Sequence, residues 1–281
     1  MKAIFLNKEN KIRNGWKILI FFVNFIVLLL LLNLSFALFL PITDIFISEL
    51  IALISVVIST FLMMKFFEKR NFEDVGLRLK PNAIYEISLG LILGFIMITS
   101  VVAVNLTLGY YKYELTLNQI YPQIFKAFLL FLMVALFEEI LFRGYPFQRL
   151  IDGTSPIVAT LIFSLIFSLA HLQNPNVNLI AVLNIFFAGI WLSASYIKTR
   201  SLWLPISLHF SWNFFQGYFY SLPVSGLTLI EPAFNVEISS ENIISGGKFG
   251  PEGSVITSFV LVIATIFILK SKRLSSDVKI S

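Results

Sequence analysis

The sequence predicts an all-α polytopic membrane protein with about eight transmembrane helices and both termini cytoplasmic. Three observations carry that prediction. Of 281 residues, 57% are hydrophobic and only 13% charged, with a mean hydropathy of +0.86. A soluble domain carries roughly 25% charged residues. Eight apolar runs approach or exceed the roughly 20 residues that a helix needs to cross a bilayer. The Lys and Arg residues cluster in alternate connections between those runs. The absence of cysteine removes disulfides and thiolate metal sites from consideration. The net charge of +5 reports topology before nucleic-acid binding, and no phosphate loop or dinucleotide fingerprint is present. No nucleic-acid partner is expected; membrane lipid is.

The runs cover roughly 17–40, 46–67, 84–108, 121–147, 155–172, 178–197, 202–220 and 254–270. The first follows Lys2, Lys8, Lys11, Arg13 and Lys17 and so imitates a signal peptide. It is longer than a signal core of roughly 7–15 residues and no small-residue cleavage site follows, so it reads as a retained first span. Residues 68–83 read as an ordered cytoplasmic loop or amphipathic helix. Gly90 and Gly94 in the third run form a GxxxG pair, a mark of close helix contact. Pro156 suits the first turn of the fifth run, and Asn174-Pro175-Asn176 breaks the chain after it. Residues 221–253 read as a turn-rich cap; the glycines at 246–253 lack the strand-loop-helix context of a phosphate site. With eight crossings and a cytoplasmic N-terminus, eighteen of the 21 Lys and Arg residues fall inside. The whole chain, 1–281, reads as one integral-membrane domain with its chemical core at about 121–220.

The fourth run ends in Glu138-Glu139-Ile140-Leu141-Phe142-Arg143. One acid at mid-bilayer costs roughly 2.5–3.5 kcal/mol on the lowest estimates, and such residues usually face a cavity. Glu139 and Arg143 are an i, i+4 pair, so Glu139 has a local partner. Glu138 shares its face with Phe142 and has no local cation. Glu138 is therefore the candidate for chemistry and Glu139 for structure; the alternative is a structural network with no chemistry. Both histidines, His171 and His209, lie in or at the ends of apolar runs. Phe167 and His171 share one face, as do His209 and Asn213, and the second pair suits a developing oxyanion. From the run ends, at 1.5 Å per residue, Glu138 lies about 18 Å deep, Asn213 about 16 Å, His209 about 10 Å and His171 about 25 Å.

The segments Glu138-Glu139-x-x-x-Arg143, Phe167-x-x-x-His171 and His209-x-x-x-Asn213 resemble, in order and spacing, the three motifs of the CPBP family. That family comprises the CAAX proteases and bacteriocin-processing enzymes, often labelled abortive-infection proteins. The diagnostic part covers about 135–215, with no departure at the motif positions. The resemblance implies an intramembrane endopeptidase. Glu138 and His171 would activate a water, with Glu138 as general base; His209 and Asn213 would bind the oxyanion; Glu139, Arg143 and Phe167 would support the site. Two readings of the metal stay open. Glu138, His171 and His209 could hold a catalytic zinc, or the glutamate could act without a metal, and the reading leans to the latter. The implied partner is a peptide or protein substrate, lipidated or membrane-bound, reached from the cytoplasm or laterally from lipid. The expected location is the plasma membrane of a bacterium. Two other classes compete: a non-catalytic scaffold or immunity protein, and a transporter, since buried Glu, Arg and His also mark ion paths.

Overall fold

The computed structural model describes residues 2–7, 10–38, 44–114, 120–231 and 233–274. It is 72% helix with little sheet. After a one-turn α1 (Lys2–Phe5), the long helices are α2 (Asn14–Ala37), α3 (Ile45–Leu62), α4 (Ala83–Thr107), α5 (Ile120–Arg143), α7 (Pro156–Ala170), α8 (Leu179–Thr199), α9 (Trp203–Phe214) and α10 (Val255–Lys270). Short polar side chains start several of them. Asp44, Ser155, Asn178 and Ser254 each accept a hydrogen bond from a backbone N–H of the first turn, groups with no partner inside the helix. Pro156 sits at the start of α7, where its missing N–H costs nothing.

Among the described residues, four helices are long and apolar enough to cross a membrane: Asn14–Ala37, Ile45–Glu68, Ala83–Thr107 and Leu179–Thr199. Pro156–Ala170 and Val255–Lys270 are shorter and apolar.

The structure differs from the sequence reading in three places. The run 121–147 is not one helix: α5 stops at Arg143, and α6 (Tyr145–Gly153) starts after Gly144. A Cβ on Gly144 would lie 2.1 Å from the carbonyl oxygen of Ile140, so the close approach there requires glycine. Residues 68–83 form the ordered loop expected, with one 3-10 turn, Phe72–Val75, and not the alternative amphipathic helix. The run 202–220 is α-helical only to Phe214 and ends in a π turn, Phe215–Phe219. The cap contains strand β2 (Asn235–Ile238), paired antiparallel with β1 (Tyr111–Glu114). Leu40, Lys8 and Lys279, the expected end of the first run and two of the counted basic residues, lie outside the described residues.

Successive long helices run in opposite directions, so the bundle has two ends. One end carries the charged connections. There Lys17 Nζ meets Glu68 Oε1 at 2.8 Å, Arg149 Nη1 meets Glu68 Oε2 at 3.1 Å, and Gln148 donates to the Val75 carbonyl. Gly76, at φ +116°, accepts from the Leu202 N–H and so fixes the start of α9. The other end carries the cap: Tyr111 OH donates to the Ser245 carbonyl, and Asn174 Nδ2 to that of Ser225. Between the ends, α4 and α9 are in close contact. A Cβ on Gly90 would fall 2.0 Å from Ser207 Oγ, and one on Gly94 2.8 Å from Ser211 Cβ, so the GxxxG pair has the packing role its spacing suggests.

Candidate active site

Helix α5 brings Glu138 and Glu139 to mid-bundle, facing α9. Adjacent helical residues differ by about 100° in direction, and the two carboxylates meet different surroundings. Glu139 is fully buried, and its Oε1 accepts from Arg143 Nη1 at 2.9 Å. The same oxygen lies 2.8 Å from His209 Nδ1, a partner that helix spacing could not reveal. Arg143 is also fully buried. Its Nη2 donates to the Gly189 carbonyl at 3.2 Å, and its guanidinium lies 4.7 Å from the centre of the Phe167 ring. Gly189 permits this because α7 and α8 touch there: a Cβ would lie 2.7 Å from Ser164 Cα.

Glu138 makes no hydrogen bond among the described residues. Its Oε2 is buried without a partner and stands 3.8 Å from His209 Nε2. His209 therefore has a carboxylate at each ring nitrogen. His171 lies one residue past the end of α7, not within the helix, and its Nδ1 is 2.8 Å from the Phe167 carbonyl oxygen. A carbonyl can only accept, so Nδ1 carries the proton and Nε2 is left as an acceptor. The Phe167 ring lies between the histidines, 4.8 Å from His171 and 6.4 Å from His209. Asn213 is buried one turn beyond His209.

A cavity of ≈ 140 Å³ joins these groups, with room for several waters. Glu138, Phe167, His171, His209 and Asn213 line it, whereas Glu139 and Arg143 stand behind its wall. Ile185, Leu192, Leu227 and Leu261 provide apolar lining. Two further acids line it that the motifs do not contain, Glu49 from α3 and Glu252 from the cap. Glu49 Oε2 is buried without a partner. The argument that singles out Glu138 applies equally to Glu49, the one acid in the run 46–67, and is the signal that finds it. Glu252 Oε2 accepts from the Ser225 N–H and from Gln216 Nε2, and burial holds its carboxyl above the usual carboxylate range. No comparable signal marks Glu252 in sequence, because it sits in a glycine-rich loop.

Among the described residues, no three His, Asp or Glu side chains stand close enough together to hold a metal ion. Glu138, His171 and His209 share the cavity without forming such a group. The arrangement suits a water held between an unpartnered carboxylate and a histidine acceptor, facing N–H donors on α9.

These features define a mostly helical protein with membrane-length apolar helices and an acid–histidine site in its interior. Residues 120–215 match the family model described as type II CAAX prenyl endopeptidase Rce1-like. The match spans α5 to the end of α9, contains all three motifs, and is consistent with the CPBP family. Together with the apolar helices, the match supports an integral membrane protein whose residues 120–215 are similar to CAAX proteases. Glu49 and Glu252 fall outside the matched residues. No curated protein matches the chain.

Proposed function

We propose that the chain is an intramembrane endopeptidase in which Glu138 is the general base. The observation that carries this reading is the contrast between neighbours. Glu139 is held by a cation and a histidine, whereas Glu138 lines a cavity with a buried oxygen that has no hydrogen-bond partner among the described residues. A buried carboxylate retained without a partner is a group kept for chemistry.

In this mechanism a water is bound between Glu138 and His171 Nε2. Glu138 takes its proton as the oxygen attacks the peptide carbonyl carbon. The carbonyl electron pair moves to oxygen, and that oxyanion accepts from the Asn213 amide and from His209 Nε2–H. His209 acts as an imidazolium whose Nδ1–H is held by Glu139 and whose charge the two flanking carboxylates offset. Glu139 acts through His209, fixing its ring by the bond to Nδ1. As the C–N bond breaks, Glu138 returns the proton to the leaving amine, giving a carboxylic acid and an amine, which then ionise to carboxylate and ammonium. General-base catalysis of this kind contributes about 10²–10⁴-fold. We read the chemistry as metal-free because the candidate ligands are not gathered into one set.

The eight long helices are read as eight crossings of one membrane domain, with both termini on the basic, cytoplasmic side of a bacterial plasma membrane. Maturation of a CAAX-type tail or a bacteriocin-type peptide, or self-immunity, is the role that the family suggests, and a substrate carrying an apolar or lipidated segment suits a site at membrane depth. Wild type and Glu138→Gln, expressed at matched levels in a host lacking the protein, test the reading. New protein termini present only with wild type are expected. Identical profiles with both proteins folded and inserted would leave a scaffold or immunity role in its place.

A further inference from the structure

The cavity belongs to one end of the bundle. Its lining comes from the start of α3 (Ile45, Glu49), the end of α7 (His171), the first half of α8 (Asn184), the start of α10 (Thr257) and the cap (Ser225). Helix directions put all of these at the cap end. Glu138 and His209 lie in its inner part, beside Trp191 and Leu192 of α8.

The charged end is closed. Arg143, tied to Glu139 and Gly189, lies against Phe167 directly behind the reacting groups. Beyond it Phe147 packs edge-on against Phe163 at 5.6 Å and Tyr196 at 5.7 Å, all three buried. A peptide coming from that side would have to displace a buried ion pair and an aromatic layer.

The charges separate in the same way. No Lys or Arg lines the cavity. Basic residues at 65–80, 143–149, 198–200 and 270–273 sit at the closed end, whereas the cap end carries Lys112, Lys126 and Lys248. Positively charged connections stay on the cytoplasmic side. The cavity then opens away from the cytoplasm, the reverse of the cytoplasmic entry expected from sequence.

We propose that the site is reached from the extracytoplasmic side, and that its substrates are peptide segments exposed there, on exported or membrane-anchored chains. The substrate class rests on the proteolytic reading above; the direction of access does not.

The chain has no cysteine, so single cysteines report cleanly. Ser225→Cys and Leu229→Cys mark the cavity side of the cap, Lys248→Cys the exposed cap surface, and Lys80→Cys the closed end. A membrane-impermeant maleimide is applied to intact and to permeabilised cells. Lys248→Cys and at least one cavity position are expected to label in intact cells, and Lys80→Cys only after permeabilisation. Labelling of Lys248→Cys only after permeabilisation would overturn the proposal. So would labelling of both cavity positions only after permeabilisation. In a second arm, one peptide library is displayed on a single-span anchor facing outward or inward. Glu138-dependent cleavage of the outward display alone is expected; cleavage of the inward display alone would overturn the substrate class. If neither display is cut while outward labelling holds, the proteolytic reading fails and the direction of access stands.

Discussion

The floor of the cavity and its lumen are built from the same residue types under opposite rules. In the floor, Arg143, Glu139 and His209 are buried and bonded to one another, and Arg143 also binds the Gly189 carbonyl. In the lumen, Glu138 and Glu49 each present a buried oxygen with no hydrogen-bond partner among the described residues. A buried ion pair keeps its place because each charge offsets the desolvation of the other. A lone buried carboxylate has no such return within the fold, so it loosens the protein unless a substrate or a water completes it. Stability should therefore reside in the floor and activity in the lumen.

Arg143→Ala is the strongest test of that division. It leaves Glu139 buried without its cation and should destabilise the protein by about 3–5 kcal/mol, read as loss of folded yield and of thermal stability in detergent. An Arg143→Ala protein that melts like wild type would erase the distinction. Gly189→Ala sharpens it from the backbone side. Its Cβ would meet Ser164 Cα at 2.7 Å, forcing α7 and α8 apart and moving the carbonyl that Arg143 binds. A loss of about 1–3 kcal/mol is expected, with activity falling only as the folded fraction falls. In the lumen, Glu138→Gln and Glu49→Gln break no hydrogen bond among the described residues. Both should melt within about 2 °C of wild type or above it. Glu138→Gln should lose activity by about 10²–10⁴-fold, and Glu49→Gln by much less. A marked fall in melting temperature for either would show that the lumen, too, holds the fold together.

Composition, run lengths and charge spacing sufficed for a helical membrane protein, because lipid solubility and helical periodicity are local properties written residue by residue. Among the described residues, helices stand close to the predicted runs, and four of them are long and apolar enough to cross a membrane. The Glu139–Arg143 pair was legible for the same reason, since an i, i+4 contact lies within one helix. Gly90 and Gly94 announced close packing without naming α9 as the partner.

Contacts between helices had no such signature. That His209 bonds Glu139, that Gly189 supplies a carbonyl to Arg143, and that Glu252 reaches the cavity from the cap all depend on how separate helices rotate and tilt against one another. Helical spacing says which residues share a face, but not what that face meets. The fourth run looked continuous because Tyr145, Pro146 and Phe147 are as apolar as what precedes them; the break at Gly144 comes from backbone geometry. The sequence by itself determined the helical class, most of the long helices and the embedded charged positions. Only the tertiary structure decided what the two carboxylates meet across helices and which end of the bundle the cavity faces, because burial and access arise where several helices converge.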